Sequence, residues 1–255
     1  MANQVEVSQA KENHQDYALQ LTEQTEESAP KIYESKVLIF DNVFPNNQEQ
    51  DFLHLIEKWQ DRFQDTQVGD DKTATKDKKY RNSLVLFEFE PIRTYFKSQI
   101  FRFTQPVKEA LGYEMTPEMG GEFQLTAHND QNFYSAHTDF LPNTGTRVSL
   151  RKITFVYYFH RQPKAFEGGE LYVWDHLDCE GDRFRPTKSG KYIEPLNNRI
   201  VFFDSRYYHE VRKVTCASKD FMDSRFTING WFYSLREEEV FSKNIIGIPV
   251  KPHKS

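Results

Sequence analysis

The first half of the chain combines one apolar strand with two segments whose apolar residues recur at helical spacing. The run KVLIFDNVF at 36–44 predicts a strand. The segment at 45–63 predicts an amphipathic helix, whose apolar positions are Phe52, Leu53, Leu55, Ile56 and Trp59. A second helix is predicted over 91–112, with a kink or break at Pro106 and a C-cap at Gly112.

From about residue 120 the pattern changes to short aromatic and β-branched runs separated by turn residues. These runs are EFQLTA, NFYSAHTDF, RKITFVYYFH, GELYVWD, KYIEP, RIVFFDS, YHEVRKV and RFTINGWFYSL. Short strands with such punctuation predict a sandwich, jelly roll or barrel. Because the helices precede the strands, we expect an α+β fold in which helices pack outside a β core.

Several stretches mark the organisation of the chain. Residues 1–30 are rich in Gln, Glu, Asn and Ser, which predicts a flexible N-terminal arm. The polar stretch at 65–83 predicts a loop, and we expect it to border the mouth of a site together with the turn at 141–147. Residues 31–255 suffice for a single domain, whose catalytic core we place at about 120–235.

Composition narrows the classes of partner. The net charge of −5 argues against nucleic acid as the main partner. No apolar run approaches the ~18 residues that a membrane span needs, and the N-terminus lacks a signal-peptide pattern. Cys179 and Cys216 lack zinc-knuckle spacing; two free thiols suit the cytoplasm, although a single disulfide stays open. We therefore expect a cytoplasmic protein without membrane or nucleic-acid partners, of open oligomeric state.

The run SAHTDF at 135–140 carries the first candidate chemistry. On an extended strand, His137 and Asp139 point to the same side and can share one ion. His209, at the head of another predicted strand, offers a third ligand. Two imidazoles and one carboxylate on one face match the facial triad of non-haem Fe(II) oxygenases, which leaves positions open for a cosubstrate and O2. The alternative is a polar turn in which Asp139 is only a cap.

Arg225 is a candidate partner for a cosubstrate that binds at the open coordination positions of such an ion. It lies sixteen residues after His209, within an otherwise apolar strand. A buried arginine is costly without a partner, and a bound dicarboxylate would supply one in bidentate geometry. The alternative is an arginine at the rim whose guanidinium reaches water.

The segment from about 120 to 235 resembles the prolyl 4-hydroxylase-like branch of the 2-oxoglutarate/Fe(II)-dependent dioxygenases. The matching motifs are FYSAHTD, RKITFVYYFHRQPKAFEGGELYVWD, NNRIVFFDSRYYHEV and SRFTINGWFY, in the family's order and spacing. The resemblance implies a double-stranded β-helix (jelly-roll) core with flanking N-terminal helices. It also implies Fe(II), 2-oxoglutarate and O2 as cofactors and cosubstrates, with ascorbate as an optional reductant.

The resemblance assigns roles residue by residue. It identifies His137, Asp139 and His209 as the iron ligands. Arg225 matches the basic residue that pairs with the far carboxylate of 2-oxoglutarate, and Tyr158 matches a tyrosine whose hydroxyl reaches that carboxylate.

Further assignments from the resemblance concern the walls of the site. Thr154 lines the cosubstrate pocket, and Trp231 forms an inner wall. His128 occupies the region where family members often carry a tyrosine, and it either replaces that tyrosine or lies on the surface. Arg151 either faces substrate or belongs to a solvated strand end.

The implied reaction is hydroxylation of an unactivated C–H bond, coupled to decarboxylation of 2-oxoglutarate to succinate. Related halogenases lack the carboxylate ligand, so Asp139 favours hydroxylation. The substrate class stays open among peptidyl prolines, free amino acids and small metabolites. Two other functions stay open: a non-enzymatic jelly-roll binding or sensor protein, and a zinc-dependent hydrolase.

Overall fold

The computed structural model describes residues 30–45, 47–67, 75–116, 119–177 and 184–233. The predicted arm, apart from Pro30, and Cys179 lie outside these ranges. The helices are α1 (Gln48–Trp59), α2 (Ile92–Ile100) and α3 (Thr104–Leu111). The strands are β1 (Ile32–Tyr33), β2 (Leu38–Asp41), β3 (Gln64–Asp65), β4 (Arg81–Asn82), β5 (Leu84–Leu86), β6 (Gly120–His128), β7 (Phe133–His137), β8 (Arg151–Phe159), β9 (Glu167–Gly168), β10 (Leu171–Leu177), β11 (Arg185–Ile193), β12 (Arg199–Asp204), β13 (His209–Val211), β14 (Val214–Thr215) and β15 (Arg225–Tyr233).

The helices follow the predicted apolar pattern. Helix α1 buries Phe52, Leu53 and Ile56 on one face, as its spacing predicts. The predicted helix at 91–112 is interrupted by a 3₁₀ turn, after which Pro106 occupies the first turn of α3. Since proline has no N–H for the carbonyl four residues earlier, continuous hydrogen bonding fails there.

Helix α3 ends at a glycine with left-handed backbone geometry. Gly112 adopts a φ of 77°, and its N–H donates to the Lys108 carbonyl, which confirms the predicted C-cap. Left-handed backbone of this kind favours glycine because no Cβ clashes with the chain. In the described part of the chain, no helix is long and apolar enough to cross a membrane.

Two antiparallel sheets form the β core. The major sheet has the order β2-β12-β8-β15-β6-β5-β3. The minor sheet has the order β1-β10-β13-β7-β4, with β11 also paired to β10, and β9 pairs with β14 separately. Apolar residues of both sheets pack together: Val156, Tyr158, Leu171, Val173, Ile193, Val201, Phe203 and Tyr207. The predicted α+β jelly-roll with flanking helices is confirmed.

Strand β8 shows how the sequence divides the major sheet into two faces. Its odd-numbered residues from Ile153 to Phe159 join the core that contains α1 and α2. Its even-numbered residues Thr154, Val156 and Tyr158 face the minor sheet. This alternation follows from the two-residue period of a strand, and it places polar side chains between the sheets.

Candidate metal centre and its cavity

The three predicted metal ligands converge between the sheets. His137 is the last residue of β7 and pairs directly with His209, the first residue of β13. Asp139 follows two residues beyond β7, and one ligand atom from each residue lies within 4.8 Å of the others. All three side chains are buried, and they line a cavity of about 460 Å³.

The route by which Asp139 reaches this cluster differs from the expectation. Strand β7 ends at His137, so Asp139 lies in a bend and does not share a strand face with His137. The backbone N–H groups of Asp139 and Phe140 both donate to the Ser205 carbonyl at 3.0 Å. The carboxylate is therefore positioned by this contact with the residue that follows β12, and the expectation that His137 and Asp139 share a strand face is wrong.

Backbone carbonyls fix both imidazoles. Nδ1 of His137 lies 2.7 Å from the Ser135 carbonyl oxygen, and Nδ1 of His209 lies 2.9 Å from that of Tyr207. A neutral imidazole that donates from Nδ1 presents a lone pair at Nε2. The two Nε2 atoms lie 3.6 Å and 3.3 Å from the carboxylate oxygens of Asp139, so all three donors face one point.

The electrostatics of the cluster favour a bound cation. Burial lowers the pKa of His137 to about 4, which keeps its imidazole neutral. Burial opposes ionisation of Asp139, but the neighbouring imidazoles hold its pKa well below the usual range. Burial also acts against protonated His209, yet the Asp139 carboxylate raises the pKa of His209 above its ordinary value. The Asp139 carboxylate is thus a buried anion that attracts positive charge, either a proton on His209 or a bound cation.

The Thr154 side chain contacts Asp139, one of the three candidate metal ligands. Its hydroxyl donates to Asp139 Oδ2 at 2.8 Å and lies 3.0 Å from Ser205 Oγ. The resemblance implies that Thr154 lines the cosubstrate pocket, and it does line the cavity. Its hydrogen, however, is used to orient the Asp139 carboxylate, as outer-sphere groups commonly do.

Arg225 lines the cavity with a buried side chain. Its side chain is 1% exposed, so the alternative of a solvated rim arginine is wrong. Its Nε and Nη2 find no hydrogen-bond partner among the described residues. Gly169 lies against it with a φ of 73°, and a Cβ there would come 2.7 Å from Arg225 Cδ. The glycine therefore makes the space in which the guanidinium lies.

Two buried residues surround this guanidinium. The centre of the guanidinium lies 4.9 Å from the Tyr158 ring centroid, and Nη1 lies 3.5 Å from His128 Nδ1. His128 is 3% exposed and lines the cavity, so the surface alternative for it is wrong. Burial lowers the pKa of His128 well below its ordinary value, and the positive charge of Arg225 lowers it further, so the imidazole is neutral.

Tyr158 lies behind Arg225 rather than in the cavity wall. It is fully buried, and burial raises its pKa to about 12. Its hydroxyl has no hydrogen-bond partner among the described residues, and neither has Nε2 of His128. Several buried polar atoms of Arg225, Tyr158 and His128 therefore have no hydrogen-bond partner among the described residues.

Arg151 and Trp231 form another wall. The guanidinium centre of Arg151 stacks 3.7 Å from the Trp231 ring centroid. Arg151 Nε donates to Glu122 Oε2 at 3.0 Å, and Nη1 donates to the Asp139 carbonyl at 3.3 Å. Both residues line the cavity, so the alternative of a solvated strand end for Arg151 is wrong.

The sequence interpretation missed several residues of the cavity. Gln124 and Asn229 line it. Strand periodicity could have found them, because Gln124 lies four residues before His128 on β6 and Asn229 lies four residues after Arg225 on β15, so each pair points to one side of its strand. Arg81 also lines it, from strand β4 within the stretch predicted as a loop. A two-residue strand has too little periodicity to be recognised from sequence.

Comparison with known proteins agrees with this geometry. Residues 123–233 match the sequence model of the 2OG-Fe(II) oxygenase superfamily. An uncharacterized PKHD-type hydroxylase from Synechocystis is 38% identical over 161 residues, which are 62% of this chain and 52% of the relative. The chain thus spans about half the length of this curated relative.

Solved structures share the fold at low identity. A Trichoplax adhaerens prolyl hydroxylase, solved with a hypoxia inducible factor peptide fragment, has a TM-score of 0.56 at 17% identity, covering 82% of this chain and 86% of its own. A Pseudomonas putida prolyl-4-hydroxylase has a TM-score of 0.50 at 15% identity, covering 79% and 94%. The solved structures agree with this chain in fold, and by sequence residues 123–233 are similar to the 2OG-Fe(II) oxygenase superfamily.

Proposed function

We propose that this protein is a 2-oxoglutarate- and Fe(II)-dependent dioxygenase that hydroxylates an unactivated C–H bond. The observation that carries the proposal is the pairing of two features in one cavity. A buried cluster of two imidazoles and one carboxylate lines it, and so does a buried arginine without a full set of partners.

The donor set fits Fe(II). His137, Asp139 and His209 would hold the metal through two Nε2 atoms and a carboxylate oxygen. Such a facial set leaves coordination positions open, which is typical of non-haem iron oxygenases. Once bound, Fe(II) would supply O2 activation and the oxidative decarboxylation of 2-oxoglutarate to succinate and CO2.

The surroundings of Arg225 fit the cosubstrate. Arg225 would pair with the far carboxylate of 2-oxoglutarate, because its Nε and Nη2 otherwise stay unsatisfied in a buried site. Tyr158 would support that arginine through its ring and hydroxyl. His128 accepts from Arg225 at Nδ1, so its proton is on Nε2, where it can donate to the same ligand.

The chain also shapes the reaction space. Thr154 holds the Asp139 carboxylate in one orientation, and the two backbone carbonyls hold the imidazoles. Trp231 and Arg151 line the cavity together with the three candidate metal ligands, and they would orient the substrate. The substrate is proposed to be a small molecule or a peptide, with ascorbate as an optional reductant.

A zinc hydrolase would use the same three ligands but has no need of a buried arginine in the same cavity. A non-enzymatic jelly-roll binder has no need of an open coordination face. The superfamily match of residues 123–233 favours the oxygenase over both.

Anaerobic addition of Fe(II) and 2-oxoglutarate tests the proposal. The wild type should develop a visible metal-to-ligand charge-transfer band, and His137→Ala should abolish it because a metal ligand is lost. His54→Ala is the control, since His54 is an exposed histidine on α1. Absence of the band in the wild type, together with no succinate formation in air, would contradict the proposal.

A second variant separates the cosubstrate from the metal. Arg225→Gln should weaken 2-oxoglutarate binding by about 100-fold, since a charge-assisted bidentate pair is lost. Binding of the metal alone, measured by calorimetry, should change by less than about fivefold because Arg225 is not a ligand. An equal loss of both affinities would mean that Arg225 has a structural role.

A further inference from the structure

Three arginines line the cavity, and their charges are balanced differently. Arg151 forms an ion pair with Glu122. Arg225 would pair with the cosubstrate carboxylate under the proposed function. Arg81 has no carboxylate partner among the described residues; its Nε donates to Ser83 Oγ at 3.3 Å.

Arg81 is held close to the candidate metal ligands. Strand β4 pairs with β7, so that Arg81 lies opposite Tyr134, three residues before His137. Its guanidinium centre lies 4.5 Å from the Tyr134 ring centroid, and the Tyr134 ring stacks 3.6 Å from the His137 ring centroid. The cation is therefore oriented by stacking on an aromatic ring that itself covers a metal ligand.

With the metal and 2-oxoglutarate bound, the positive charge of Arg81 would have no balancing negative charge among the described charged groups of the site. A divalent metal and Arg225 carry three positive charges, which Asp139 and the dicarboxylate cosubstrate balance. Glu122 balances Arg151. Arg81 stays protonated although burial lowers its pKa. A partly buried cation of this kind is stabilised by an anion that carries one negative charge.

We propose that Arg81 binds a carboxylate of the substrate, so that the enzyme acts on a carboxylate-bearing molecule held by this group beside the metal. This inference rests on the proposed function. A carboxylate fits better than a phosphate dianion because a single positive charge is to be balanced. This contact defines only the carboxylate; the remainder of the substrate can belong to a small molecule or to a peptide end.

The test uses matched probes on the anaerobic complex with Fe(II) and 2-oxoglutarate. Propionate, propionamide and inorganic phosphate are titrated separately in chloride-free buffer and followed by calorimetry. We expect the wild type to prefer propionate over propionamide by at least about tenfold, because the acid alone makes a charge-assisted bond. Arg81→Gln should remove the preference, and Arg81→Lys should keep part of it.

A control and the charge-transfer band separate the possible failures. Lys79→Gln makes the same change of charge at an exposed position two residues away and should keep the preference. A wild type without acid preference, or a preference that survives in Arg81→Gln, would overturn the inference while the band leaves the proposed function intact. Tighter binding of phosphate than of propionate, lost in Arg81→Gln, would also overturn the carboxylate assignment. Absence of the band in the wild type, together with no succinate formation in air, would overturn both proposals.

Discussion

The two faces of the major sheet use the same strands for different ends. On the helix side, Phe155 packs within 6 Å of three other phenylalanine rings, Phe96, Phe123 and Phe232. On the cavity side, its neighbour Thr154 donates a hydrogen bond to the Asp139 carboxylate. Stability and chemistry are thus separated by one residue of sequence because a strand alternates its side chains.

This difference shows why a polar cavity can exist inside so small a protein. Buried polar atoms without partners cost stability, and several lie around Arg225. The aromatic cluster on the opposite face offsets that cost with apolar burial and ring contacts. Substitutions on the two faces should therefore affect different measurements.

The largest expected effect comes from the helix side. Phe155→Ala should lower the free energy of unfolding by about 3–5 kcal/mol, because a buried ring is lost and a cavity remains. Urea unfolding would measure this, with Phe87→Ala as control, since Phe87 is 52% exposed. The folded fraction should still bind 2-oxoglutarate; loss of binding at unchanged stability would break the comparison between the faces.

A smaller effect is expected from the cavity side. Thr154→Val keeps the shape of the side chain but removes the hydroxyl that orients Asp139, so metal affinity should fall by about 10-fold or more. Metal titration by calorimetry measures it, and Thr215→Val serves as an exposed control. If metal affinity were unchanged and only stability fell, the role of Thr154 would be structural, like that of Phe155.

The smallest effect is expected at the outer edge of the same sheet. Arg199 forms a bidentate pair with Asp41, whose side chain is 48% exposed, so Asp41→Asn should cost less than about 1 kcal/mol at neutral pH. The hydrogen bond from Arg199 lowers the pKa of Asp41 below its ordinary value of 3.8. The contribution is thus present above that value and lost as the pH falls through the lowered pKa.

Acid unfolding of both proteins provides the measurement for this pair. The difference between wild type and Asp41→Asn should shrink below about pH 4, since the wild-type carboxylate becomes protonated there. A difference that grew towards acid pH would show that the pair acts through something other than its charge.

The sequence alone predicts the strand-borne parts of the molecule well. His209 begins a strand as expected, and Arg225 is buried in one as its apolar neighbours indicate. Both follow from local pattern, because strand identity and burial have a two-residue signal. The helices and their boundary at Gly112 follow from equally local rules.

The parts that escaped prediction depend on contacts between distant segments. Asp139 is placed by Ser205, which lies 66 residues away along the chain, and no local pattern encodes that hydrogen bond. Arg81 is placed by pairing of a two-residue strand with β7. Tertiary contacts of this kind are not visible in a single sequence.

Because Asp139 lies beyond the end of β7, the ligand set can be edited without rebuilding the scaffold. A ligand within a strand is tied to register, where a shift of one residue turns every side chain to the other face. The main-chain bond from Asp139 to Ser205 does not depend on the side chain. An engineered chain can therefore exchange the carboxylate for another donor, or for none, and keep the jelly roll as host for a different metal chemistry.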